Sequence, residues 1–214
     1  MSDDPLSFES AAGSAAFAVA GPLVWPTDPQ VAACMEKWLR AAGNANSADT
    51  QLFAKLIAER DVRHELALLG LQPGEWGALL SRHFARAAAP ASPLTTDTAV
   101  QVHADFVRTL HAVLLTHANP AVDAGDARDL ATIIAHACLR PDHLWRDLGL
   151  AGRDEVTWML TRYFPTLVAL NVANLRWKKF LAGQRALSLG LAPGPAPGCP
   201  GCEDYAHCFP QQRP

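Results

Sequence analysis

The chain has 214 residues, half of them hydrophobic, and a formal net charge of −3. That length supports one substantial helical domain or two small ones sharing a core. The slightly acidic balance argues against bulk nucleic-acid binding, which needs a basic surface to displace counterions. No uninterrupted apolar run approaches the ~18 residues of a membrane-spanning helix.

The N-terminal stretch MSDDPLSFESAAGSAAFAVAG contains small apolar residues, but it opens on two aspartates and the first basic residue is Lys37. A secretion signal wants a positively charged start. The expectation is a cytoplasmic chain with a disordered segment over 1–25, a helical domain over 26–188 and a cysteine-rich tail over 189–214.

Between its Gly and Pro punctuation the chain repeats with helical period and is rich in Ala and Leu, while Val, Ile and Thr form no alternating runs. The fold class is therefore all-α. Asp28 followed by Pro29 reads as a helix start, and Gly43 as its stop. Further helices are expected over Asp49–Arg60, Gly74–Ala88, Thr98–His117, Asp126–Cys138, Pro141–Leu148, Arg153–Tyr163 and Thr166–Leu187. Val102, Phe106, Leu110, Val113 and Leu114 make one apolar stripe, which predicts a central helix. His103 and His111 on that helix lie too far apart to share an ion, and His117 complements its C-terminus.

Leu56 to Phe84 can be laid on Ile133 to Phe164. His64 falls on His143, Leu69-Gly70-Leu71 on Leu148-Gly149-Leu150, and Arg82 and Phe84 on Arg162 and Phe164. Each copy predicts a short helix ended by a left-handed glycine, then a second helix ending in Arg-aromatic-Phe. The expected architecture is two pseudo-repeated helix pairs around the Phe106 helix.

From Leu189 the composition turns to Gly and Pro, and no long helix can persist there. Within it CPGCEDYAHC places three of the five cysteines, Cys199, Cys202 and Cys208, at C-x2-C-x5-C spacing. In a reducing compartment, clustered cysteines indicate metal ligation rather than disulfides. A structural zinc site needs four protein ligands, and only one cysteine pair is present. His207 is adjacent to Cys208 and ill placed to share its ion, and Asp204 is a harder donor. An iron–sulfur cube takes one protein ligand per metal, so three thiolates can hold one. Cys34 and Cys138 read as small core residues.

ACLRPDHLWRDLGL (Ala137 to Leu150), RWKKF (Arg176 to Phe180) and CPGCEDYAHCF together resemble the NifQ proteins of nitrogen-fixing bacteria, most strongly from about Asp129 onward. The resemblance implies a molybdenum–iron–sulfur carrier that supplies molybdenum to the nitrogenase iron–molybdenum cofactor. Its implied partners are molybdate, the cofactor-assembly scaffold and the nitrogenase iron protein. The family motif is C-x4-C-x2-C-x5-C, and this chain has Gly194 where the first cysteine would stand. The implied metal ligands are Cys199, Cys202 and Cys208, with an open fourth corner for which His143, Asp204, His207 or Cys138 could lend a ligand. Arg176, Lys178 and Lys179 would offset cluster charge or attract molybdate. His143 is otherwise a structural cap. No hydrolase, Walker or zinc-protease motif is present, so the expectation is a carrier and not an enzyme. The alternative is a helical interaction module with a zinc-stapled tail.

Overall fold

The computed structural model describes residues 23–87 and 101–210. Among them every regular element is helical and none is a strand. The elements are α1 (Pro29–Arg40), α2 (Ala48–Val62), a 3-10 turn (Leu66–Leu69), α3 (Pro73–His83), α4 (Ala104–Thr116), α5 (Ala124–Ala137), α6 (Leu144–Asp147), α7 (Arg153–Tyr163), α8 (Pro165–Ala169), α9 (Trp177–Ser188), a 3-10 turn (Cys199–Gly201) and α10 (Tyr205–Cys208). The disorder expected over 1–25 falls largely outside the described residues. At its end Leu23 is buried.

The starts follow local chemistry. The Asp28 carboxylate accepts from Gln30 N at 2.8 Å, with Pro29 in the first turn. Asp123 does the same for α5, accepting from Gly125 N at 2.8 Å and Asp126 N at 3.0 Å. Side-chain oxygens thus satisfy amide groups that the helix leaves without partners.

The centre of the fold is not the Phe106 helix. Thr50 to Ala58 of α2 and Asp129 to Cys138 are buried on every side, whereas α4 buries one stripe and exposes the other. Phe106, Leu110, Val113 and Leu114 form that stripe, but Val102 is 71% exposed. Helices buried all round form a hub, and α4 is an outer amphipathic helix.

Two further boundaries depart from expectation. The helix expected over Thr166–Leu187 is two helices, α8 and α9, separated by an exposed loop. Asn171 closes that loop, accepting from Leu175 N at 2.8 Å and donating to Leu175 O at 3.0 Å, and Asn174 takes φ 50°. Asparagine side chains compete with helical backbone bonds in this way. Pro141 and Asp142 lie ahead of α6, which His143 precedes in extended conformation.

Gly70 and Gly149 both take left-handed φ, 75° and 69°. Neither tolerates a β-carbon, which would strike the His136 ring at one and the Glu59 side chain at the other. Phe84 and Phe164 end α3 and α7 with closely similar backbone angles, each donating its N–H to a carbonyl four residues back at 2.7 Å. The histidines aligned with each other do not correspond in conformation: His64 has φ 57° and His143 −61°.

Buried and partly buried polar groups tie the hub together. Arg162 grips Asp49 with two bonds of 2.6 Å, and Tyr163 donates to the same carboxylate. Arg82 bonds Asp126 at 2.7 Å and also Asp129. His83 bridges Thr50 Oγ1 at 3.0 Å and Asp126 at 2.9 Å. Pairing of this kind is what makes buried charge tolerable.

Candidate metal centre

The tail does not trail away from the helices. Gly198 N donates to Cys138 O at 3.0 Å, setting the Cys199–Gly201 turn against the C-terminal end of α5. Cys202 N then bonds Cys199 O at 2.9 Å, Tyr205 N bonds Cys202 O at 3.0 Å, and Cys208 N bonds Asp204 O at 2.9 Å. These successive tight turns bring Cys199, Cys202 and Cys208 into one cavity of about 80 Å³. Its other walls are the residues before and within α6, Arg153 and Val156 of α7, and the start of α9.

Three features of RWKKF and its surroundings shape this cavity. Arg176 bonds the Asp204 carboxylate at 2.7 Å, and His143 Nε2 lies 3.1 Å from the same oxygen. Lys179 donates to the Cys208 carbonyl and sits 4.9 Å from the centre of the Phe209 ring. Lys178 points inward, donating to Arg140 O at 2.7 Å and forming a buried ion pair with Asp147. The cluster is therefore not a uniformly solvated face: Arg176 is exposed, Lys179 half-buried and Lys178 buried. Lys178 has its charge matched by Asp147 and Arg176 by Asp204, so Lys179, which bonds only a carbonyl oxygen, is the cation better placed for an incoming anion.

The thiols differ in environment. Burial pushes the Cys199 thiol up, with Lys178 opposing, and pushes Cys208 up, with Arg176 and Lys179 opposing. Cys138 is fully buried beneath this site, and burial raises its thiol to about 12. Among the described residues, no group of three His, Cys, Asp or Glu side chains is arranged to hold a single ion. The three cysteines share a cavity without converging on a point.

Other sequence candidates lie elsewhere. His207 is exposed and outside the cavity lining. Cys34 donates to Asp61 at 3.4 Å, and His117 pairs with Thr166 at 2.8 Å. Gly194 lies on a neighbouring groove that it shares with Cys208 and Phe209, and a β-carbon placed on it would meet nothing within 4 Å.

Sequence reasoning passed over Arg140 and Asp147, which organise the floor, and Glu203, which Arg146 holds at 3.0 Å. The signal available was the density of charge in RPDHLWRD beside an otherwise apolar helix. Trp145 completes the wall, stacked at 7° to the His143 ring with Arg146 on its face at 4.8 Å.

A family model described as NifQ matches residues 50–210, most of the chain and all three clustered cysteines. A curated protein named "Protein NifQ homolog" from Sinorhizobium fredii (strain NBRC 101917 / NGR234) is 43% identical over 102 residues, covering 47% of this chain and 43% of that protein. "Protein NifQ" from Azotobacter vinelandii is 44% identical over 80 residues, covering 37% of this chain and 41% of its own. "Protein NifQ" from Klebsiella pneumoniae is 44% identical over 85 residues, covering 39% and 51%. The matched region thus spans about half or less of these relatives. No solved structure matches the chain. With the family model running from the second helix through the cysteine turns, the chain belongs to the NifQ family.

Proposed function

We propose that this protein serves nitrogen fixation as a carrier, holding an iron–sulfur cluster at Cys199, Cys202 and Cys208 and passing molybdenum as cargo toward the nitrogenase iron–molybdenum cofactor. The observation that carries the reading is the gathering of three thiols from a ten-residue segment into one cavity whose rim carries Arg176 and Lys179. The donor set fits a sulfide-bridged cluster, because each metal of such a cluster takes its own thiolate. The same arrangement weighs against the zinc-staple alternative, which needs four ligands meeting at one ion. When bound, the cluster would supply sulfide coordination for molybdenum.

The chain's own residues have distinct roles in this reading. The cysteines release protons to become ligands, Lys179 attracts anionic cargo such as molybdate, and Arg176 holds Asp204 at the rim. His143 stands in the cavity wall as the nearest imidazole available to an open corner. The recipients, as the family resemblance implies, are the cofactor-assembly scaffold and the nitrogenase iron protein, met in the cytoplasm. Catalysis has no part in this account. The Thr50–His83–Asp126 chain resembles a proton relay, but its members are 3, 7 and 4% exposed, so it works as a core tie. The matching glycine turns and Arg-aromatic-Phe ends support a duplicated pair of helical units as the scaffold.

Anaerobic reconstitution with ferrous iron, sulfide and molybdate tests the reading. Iron and acid-labile sulfide retained by the wild-type chain, and lost in Cys202→Ala with helical circular dichroism intact, are the expected results. Zinc bound without sulfide would favour the stapled module instead.

A further inference from the structure

We infer that the Cys138–Pro141 turn is the template on which the C-x2-C turn is set, with Gly198 and Gly201 as positioning residues for Cys199 and Cys202. The purpose of this device rests on the cluster reading above, but its geometry rests on the backbone contacts of the chain itself.

Both glycines flank Cys199-Pro200 and both press on the same turn. A β-carbon on Gly198 would lie 1.9 Å from Arg140 O and 2.5 Å from its carbonyl carbon. One on Gly201 would lie 2.4 Å from Pro141 Cβ. The approach of Gly198 to the Arg140 backbone is open only to glycine, and at Gly201 the Pro141 ring takes the space of a β-carbon. Gly198 N also donates to Cys138 O at 3.0 Å, so the contact is a registered docking and not a near miss.

The template cannot easily yield. Lys178 Nζ holds Arg140 O at 2.7 Å while paired with the buried Asp147, and the Arg140 side chain donates to Leu68 O at 3.0 Å. Moving the Arg140 carbonyl aside would disturb a buried ion pair, which costs far more than shifting an exposed group. Lys178 therefore acts on the cysteines through Arg140. Gly194 provides the internal contrast, since its added β-carbon meets open space.

The test measures the reaction of each cysteine with a thiol reagent in the metal-free, anaerobic full chain, resolved by mass spectrometry. In the wild type, Cys199 should react at least about tenfold more slowly than Cys202, as its burial requires. Gly198→Ala should bring Cys199 toward the Cys202 rate with helical circular dichroism unchanged, and should reduce iron retained on reconstitution. Gly201→Ala should do the same in lesser degree, and Gly201→Ala combined with Pro141→Gly, which removes the clashing atom, should restore the slow rate. Gly194→Ala should change nothing. If Gly198→Ala fails to fold, the Gly201 pair decides. The inference is overturned if Gly201→Ala leaves Cys199 protected, or if the double variant folds without restoring protection. A wild type that takes up no iron but follows the thiol pattern would remove the cluster reading and leave this inference standing.

Discussion

Arg176 and Asp204 are joined at 2.7 Å across the mouth of the cysteine cavity, and His143 approaches the same carboxylate oxygen at 3.1 Å. Asp204 stands between Cys202 and Cys208, so this pairing ties the x5 segment to α9 and to the residue before α6. Partly exposed pairs contribute only about 1 kcal/mol. Asp204→Asn should therefore lower the melting temperature by only about 2–4 °C, measured by circular dichroism. The same variant should release reconstituted iron to a chelator faster than the wild type, because the loop that carries Cys208 is less restrained.

Two adjacent lysines should behave in opposite ways. Lys178 and Asp147 are both buried, and removing one member of such a pair costs about 3–5 kcal/mol, since Asp147 would keep only Arg140, 3.5 Å away. Lys178→Met should thus be strongly destabilising in a denaturant titration. Lys179→Met removes a half-buried cation whose partner is a carbonyl, so it should cost little stability. Its effect should appear instead as weaker molybdate uptake, read by metal analysis after gel filtration.

That division marks what the sequence could not disclose. The all-helical class, the caps at Asp28 and the clustering of Cys199, Cys202 and Cys208 follow from local chemistry that a linear reading captures. Which of Arg176, Lys178 and Lys179 points inward depends on where Asp147 and Arg140 arrive from, and both belong to distant chain segments. The break at Asn171–Asn174 was written in its asparagines but masked by Leu and Val at helical spacing. The hub role of α2 was hidden for a related reason: Gln51, Lys55 and Arg60 are residue types mostly found exposed, and tertiary partners such as Glu155, 2.8 Å from Lys55, make their burial possible.

Metal loading should be pH-dependent. Burial raises the Cys199 and Cys208 thiols, so at neutral pH both carry protons that binding must release. Affinity for ferrous iron should rise as pH increases from 6 to 8, by up to about tenfold per pH unit for each thiol that ionises. Equilibrium titration in buffers of equal ionic strength would reveal the slope.

Cys138 gives a complementary test on stability. Its folded value of about 12 lies above the ordinary 9.0, so the unfolded chain loses this proton first. The stability this neutral thiol contributes is complete below pH 9 and is lost as pH rises from 9 toward 12. Cys138→Ala should be less stable at neutral pH through lost packing, yet show a shallower decline across that alkaline window in denaturant titrations.

Gly194→Cys should be well tolerated, since the new side chain enters open space and the site has no left-handed φ. Stability should change by no more than about 0.5 kcal/mol. The added thiol faces the groove that Cys208 also lines, and reconstituted iron should become more resistant to chelation than in the wild type.

The central claim is that three cysteines hold a sulfide-containing cluster that accepts molybdenum. Its most direct measurement is the iron, acid-labile sulfide and molybdenum content of the anaerobically reconstituted wild-type chain beside Cys199→Ala, Cys202→Ala and Cys208→Ala. The account predicts all three elements in the wild type and loss of each in every variant, with the helical signal preserved. Iron, sulfide and molybdenum contents unchanged by the loss of any of these cysteines, or a wild type that binds none of them, would contradict it.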